Sequence, residues 1–274
     1  MFDHEELAKN WLRSNVRANI PANARTYRST TLSNRSCTSS MGFKTDHPDF
    51  IGTVIKSNPE FKVVKSGRTE FVIIDPTVLR AELHEGSKVS IIPYARRHFN
   101  GRRLTDPEPV IDSSGVRMSV IKIGSSVSEI PVEKPKSKLG LHLLDNLQRM
   151  SCPDGIRVVS NLLVDVGAKN FRFVDVDFDN TESKGDLQFI FDCSNLKFSG
   201  RVTVGVDRGL GLFYIEMHKV NDNHPDILQH RCEGVCLDSL AEVLSTLLCD
   251  GEWRFAKVEV LHRAKVKQLA SVNS

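Results

Sequence analysis

The feature that most constrains the fold is a succession of four alternating segments in the second half of the chain. Phe171 to Phe178, Asp186 to Cys193, Gly200 to Val206 and Leu212 to Val220 place apolar residues at close to every second position, the period of a strand with one buried face. The last two are joined by Asp207-Arg208-Gly209-Leu210-Gly211, whose length and glycines turn a strand back on itself. A mostly antiparallel sheet is therefore expected. The same glycines do not form a phosphate loop, because no helix N-terminus follows them to receive an anion.

Helical spacing surrounds this sheet. Leu139, Leu143, Leu144, Leu147 and Met150 make one stripe, and Ile156, Val159, Leu163 and Val166 a second. A third, capped by Asp238, runs through Leu240, Val243, Leu244, Leu247 and Leu248 to Gly251, and Trp253 to Val260 reads as a closing strand. That order predicts an α+β domain over 139–274. It is preceded at 124–138 by a stretch with the Ser, Pro and charge content of a linker.

The first half reads differently. Five short β-rich runs, Phe50 to Ile55, Phe61 to Val64, Glu70 to Ile74, Lys88 to Ile92 and Val116 to Ile121, are separated by turn residues such as Asn58-Pro59 and Ser66-Gly67. They predict a small curved, barrel-like β domain over 48–123. Within it, Ile51-Gly52-Thr53-Val54-Ile55, Val63-Val64-Lys65-Ser66-Gly67-Arg68, Phe71-Val72-Ile73 and Glu85-Gly86-Ser87-Lys88-Val89-Ser90-Ile91 together resemble the KfrB-type domain of plasmid and other mobile-element proteins. The likeness covers residues 50–95. It implies an accessory factor of the kind carried with conjugation and anti-defence genes.

Residues 1–47 form an arm. Leu7, Trp11, Leu12 and Val16 recur at helical spacing behind an Asp3/Glu6 capping box and stop at Pro21, so a short amphipathic helix is expected. From Asn23 to Thr45 small polar residues and arginine dominate, and this stretch is expected to be disordered alone.

Charge divides along the chain. Residues 1–137 hold 21 Lys and Arg against 15 Asp and Glu, whereas 138–274 hold 16 against 19. The front half is the better match for an acidic partner. Six cysteines spread over 274 residues fit a reducing compartment better than a disulfide scaffold. The N-terminus opens acidic, unlike a secretory signal, and a cytoplasmic location is expected.

The sharpest basic cluster is Arg96-Arg97-His98-Phe99-Asn100-Gly101-Arg102-Arg103. Its four arginines offer paired contacts to phosphate or carboxylate, and Phe99 offers a stacking or inserting ring. With Trp11, Arg13, Arg17, Arg25, Arg28 and Arg35 of the arm, Arg96, Arg97, Phe99, Arg102 and Arg103 make up the expected partner-binding set. The bland reading of the cluster is a solvated hairpin tip.

Two metal constellations are weaker. His224, His230, Cys232 and Cys236 are zinc-type ligands, but the spacing from His224 to His230 is longer than zinc knuckles use. Asp175, Asp177 and Asp179 alternate along a strand and could share a divalent cation on one face, and a two-metal nuclease would need a further residue there, with Asp192, Glu216 and His218 as the nearby candidates. No P-loop, nucleophile elbow or dinucleotide fingerprint occurs, so no catalytic residue and no cofactor is assigned. The expectation is a non-catalytic binder, most concretely an anti-defence, anti-CRISPR-like inhibitor docking on a host protein or ribonucleoprotein complex. The alternatives are a plasmid DNA-binding maintenance or transfer factor and a metal-dependent nuclease built on the Asp175 face.

Overall fold

A computed structural model describes residues 4–35, 37–38, 44–120, 127–175, 186–207, 209–220 and 225–263. In chain order the elements begin with α1 (Glu5–Asn15), β1 (Arg28–Leu32), a short ladder of β2 (Cys37–Thr38) and β3 (Lys44–Thr45), then β4 (Phe50–Ser57), β5 (Lys62–Lys65), β6 (Glu70–Ile74) and β7 (Lys88–Ile92). Next come β8 (Glu108–Ile111), β9 (Arg117–Val120), α2 (Lys138–Arg149), α3 (Val159–Asp165), β10 (Lys169–Val174), β11 (Gln188–Ser194) and β12 (Ser199–Asp207). β13 (Leu212–Lys219), β14 (Ile227–Val235), α4 (Leu237–Leu248) and β15 (Lys257–His262) complete the described elements. The fold is α+β, in two compact units. Among the described residues no helix is long and apolar enough to cross a membrane.

The first unit comprises the described residues of Met1–Cys37, Asp46–Tyr94 and Trp253–Ser274. Its sheet runs β1-β6-β5-β4-β7-β15. It is open, with β1 and β15 as edges, so it does not close into a barrel. β6 explains its own unbroken apolar run: Phe71 and Ile73 pack toward α1, Val72 and Ile74 into a second core on the opposite side, so both faces are buried. Gly52 is needed where β4 meets β5, since a Cβ there would lie 2.4 Å from the Lys65 carbonyl oxygen.

Three expectations for this unit are corrected. The arm belongs to the fold: Ala8, Leu12 and Val16 of α1 cover Phe61, Val63, Phe71 and Ile73, and β1 pairs in parallel with β6. The expected Asp3 cap lies outside the described residues, and His4 stands at the N-cap without a side-chain bond. The final strand β15 pairs with β7 and does not close the second sheet.

The second unit comprises the described residues of Thr38–Thr45 and Ala95–Glu252. β10 to β14 form an antiparallel meander in chain order. Phe189, Phe191 and Cys193 of β11, Val202, Val204 and Val206 of β12, and Phe213, Ile215 and Met217 of β13 share one core with the buried stripes of α2, α3 and α4. The opposite face carries charged residues beside buried Ile190 and Tyr214. There Arg201 pairs with Asp192 and Asp226, and Arg231 with Glu216 and Glu233.

Two segments were read differently from sequence. The run 117–120 pairs only with β8 as a separate hairpin and does not join the first sheet. Residues 127–137 are not a free linker, because Ser128 and Ile130 are buried and Ile130 belongs to the second core.

Candidate partner-binding surface

The arginine cluster folds as a closed loop on the second unit. The Leu104 N–H donates to the Arg96 carbonyl at 3.0 Å, the His98 N–H to Arg102 O at 2.8 Å and the Gly101 N–H to His98 O at 2.9 Å. Gly101 takes φ of 85° at the turn, a conformation that favours glycine at the Asn-Gly tip. Buried Leu104 anchors one side, and a polar network anchors the other. The Ser128 hydroxyl donates to Arg97 O at 2.6 Å and accepts from Asn161 Nδ2 at 3.0 Å, while the Ser128 N–H donates to Ser160 Oγ at 3.1 Å. Ser128, Ser160 and Asn161 were not legible as a set, since nothing in a sequence marks polar residues that satisfy one another indoors.

The loop does not display every residue of the cluster. Arg96 is only 2% exposed and cannot meet a partner directly, which corrects its place in the expected surface. Phe99 is likewise committed: it packs against the second core, with its ring edge-on to Phe171 at 5.1 Å, and is not a free stacking ring. Arg97, Arg102 and Arg103 remain partly exposed. Arg97 Nη1 donates to Gly101 O at 2.8 Å and Arg102 Nη2 to Pro107 O at 2.6 Å. Both guanidiniums are thus held in place by neutral carbonyls, which fix their position without neutralising their charge. The Arg103 N–H is taken by Asp106 Oδ2 at 3.0 Å.

From this loop the chain passes directly into the hairpin of β8 and β9, where Val110, Ile111, Val116, Met118 and Val120 are all exposed. Sequence reading missed this as a surface, because a short apolar run is equally consistent with a buried strand.

The arm candidates sit on the first unit. Trp11 is half-buried, tilted against Phe61 at 6.3 Å. Arg13 bonds Asn10, and Arg17 donates to Ala24 O. Arg25, Arg28 and Arg35 are exposed.

No family model matches the chain, and neither a curated protein nor a solved structure does.

Neither metal constellation is assembled among the described residues, which gather no group of three or more His, Cys, Asp or Glu able to hold an ion. His224 lies outside them; His230 is exposed on β14, Cys232 packs against the second core, and Cys236 is the exposed N-cap of α4 in place of the expected Asp238. Asp177 and Asp179 also lie outside. The Asp175 carboxylate is spent on the start of α2: it accepts the Lys136 N–H at 2.5 Å, the Ser137 N–H at 2.9 Å and the Ser137 hydroxyl at 2.5 Å, while Ser137 Oγ caps the helix through the Gly140 N–H. Burial pushes this carboxyl up, but those hydrogen bonds outweigh it and hold it below the usual range.

Asp192 stands opposite Lys169, at the far end of β10 from Asp175. Six residues of strand put the two roughly 20 Å apart. Asp192 instead pairs with Arg201 and Asn170, and Glu216 with Arg231 and His218. At the turn between β12 and β13, Asp207 Oδ1 accepts the Gly209 and Leu210 N–H groups, while Arg208 lies outside the described residues.

Proposed function

We propose that this chain is a non-catalytic binding protein that docks on an acidic surface of a partner protein through the Arg97-to-Arg103 loop. The observation that carries the reading is that Arg97 and Arg102 are pinned by backbone carbonyls at 2.8 and 2.6 Å. Preorganised cations lose little freedom on binding, and they gain most when a partner carboxylate replaces water. In the mobile-element setting that the resemblance implies, the partner is a host defence complex and the outcome is stoichiometric inhibition of it.

The experiment is capture of complexes from a defence-competent host with the wild type and with an Arg97→Ala, Arg102→Ala, Arg103→Ala variant. The reading requires a defined complex that the variant loses. A complex retained in full by the variant refutes it.

A second reading, a plasmid DNA-binding factor, draws on the exposed Arg25, Arg28 and Arg35 of the first unit. Phosphate contacts by these side chains would give sequence-independent, salt-sensitive binding.

A further inference from the structure

The hairpin of β8 and β9 gathers exposed Val110, Ile111, Val116, Met118 and Val120 in one short stretch of the second unit. Its strands pair with each other and with no third strand among the described residues. Register sets Val110 opposite Met118 and Glu108 opposite Val120. Alternation then puts Val110, Met118 and Val120 on one face with Glu108, and Pro109, Ile111, Arg117 and Ser119 on the other. Both faces therefore offer apolar groups to water, with Ile111 65% exposed.

An isolated two-stranded ribbon is marginal in water, and exposed apolar residues gathered in one place mark an interaction site. The tip is nonetheless rigid, because Asp112 Oδ1 accepts the Ser114 and Val116 N–H groups at 2.9 Å and the Ser114 hydroxyl at 2.6 Å.

We infer that the hairpin inserts into an apolar groove with an acidic rim on a partner protein, Val110, Ile111 and Met118 entering the groove while Arg97, Arg102 and Arg117 meet the rim. This rests on the protein-binding reading above and names the chemistry of its partner. Charge argues for the acidic rim. Residues 96–117 hold five arginines against three carboxylates, Asp106, Glu108 and Asp112, and the Arg97 and Arg102 guanidiniums are held by neutral carbonyls. Size argues for a groove and against a second copy of this chain. One face of a ribbon four residue pairs long measures roughly 14 by 10 Å, far short of the about 800 Å² per partner that a stable interface needs. A groove takes in both faces together with the adjoining arginine loop, so the contact is not limited to one flat face.

The test is a random peptide library displayed on phage and panned against the full chain. Selected peptides are compared on wild type, a Val110→Asp, Met118→Asp variant and a Met118→Leu control. The positions are exposed, and matching melting temperatures will show that the variants fold. Peptides pairing Asp or Glu with Leu, Phe or Trp should emerge, bind the double variant at least about tenfold more weakly, and tolerate Met118→Leu.

Three results overturn the inference. If binding is lost on Arg102→Ala but not in the hairpin variant, the hairpin inference fails while the protein-binding reading survives. A wild-type dimer in light scattering that the hairpin variant dissociates assigns the surface to a second copy. If no peptide depends on the hairpin, the proposed groove fails.

Discussion

The Tyr214 ring fills the space that a side chain on its cross-strand partner Gly205 would need: a Cβ at 205 would lie 2.1 Å from Tyr214 Cζ. The ring is fixed there by its hydroxyl, which accepts from Gln188 Nε2 at 2.8 Å and donates to Asp186 Oδ2 at 3.3 Å, and by the Arg231 guanidinium 5.1 Å from its centroid. Gly205→Ala must displace this ring. Overpacking of this kind costs about 1–3 kcal/mol, read as a lower urea midpoint with unchanged slope. An unchanged midpoint would show that the ring moves freely.

Arg157, like Arg96, is a buried cation of the second unit. Its Nε lies 3.0 Å from Asp154 and its Nη1 2.8 Å from Asp165, and these partners keep its proton bound more tightly than usual despite the burial that opposes charge. Arg157→Met removes the cation that both mostly buried carboxylates contact. The expected loss is about 3–5 kcal/mol in equilibrium unfolding, and a loss within the error of the measurement would mean that the carboxylates find water or each other's proton.

How much of this was legible follows from what each element needs. The meander announced itself because Phe189, Phe191 and Cys193, then Val202, Val204 and Val206, alternate against one core. β1 did not, because Arg28 to Thr31 place little in the core and join the sheet through backbone pairing with β6, which has no side-chain signature. β15 was recognised as a strand but given the wrong sheet, since alternation says nothing about a partner strand distant in sequence. Within the site, the arginine cluster was found by charge alone. A charge count cannot see that Arg96 is buried, or that Leu104, Ser128 and Asn161 anchor the loop.

The thiols should differ in reactivity. Burial pushes Cys152 up to about 12, and burial with the neighbouring Asp192 charge pushes Cys193 up to about 11. Cys236 is exposed. Iodoacetamide at about pH 8 should therefore modify Cys236 in the native protein and reach Cys152 and Cys193 only in denaturant, as peptide mass mapping will show. Native labelling of Cys152 would contradict its burial.

Asp175 gives a pH signature. Its folded-state value lies below the unfolded one, so its contribution is fully present above about pH 3.9 and is lost as pH falls through the folded value. Asp175→Asn should lower the melting temperature near neutrality, and the gap to wild type should close on acidification below about pH 4. A gap independent of pH would mean that the cap owes nothing to the ionised carboxylate.

The central claim, that the arginine loop meets protein and not phosphate, is tested most directly by titrating a fluorescent DNA duplex at several salt concentrations with the wild type and the Arg97→Ala, Arg102→Ala, Arg103→Ala variant. A phosphate-binding loop would lower the salt slope by about one for each contact removed. The account predicts weak binding with the same slope for both proteins. Tight wild-type binding that disappears in the variant would contradict it and make the DNA-binding reading the correct one.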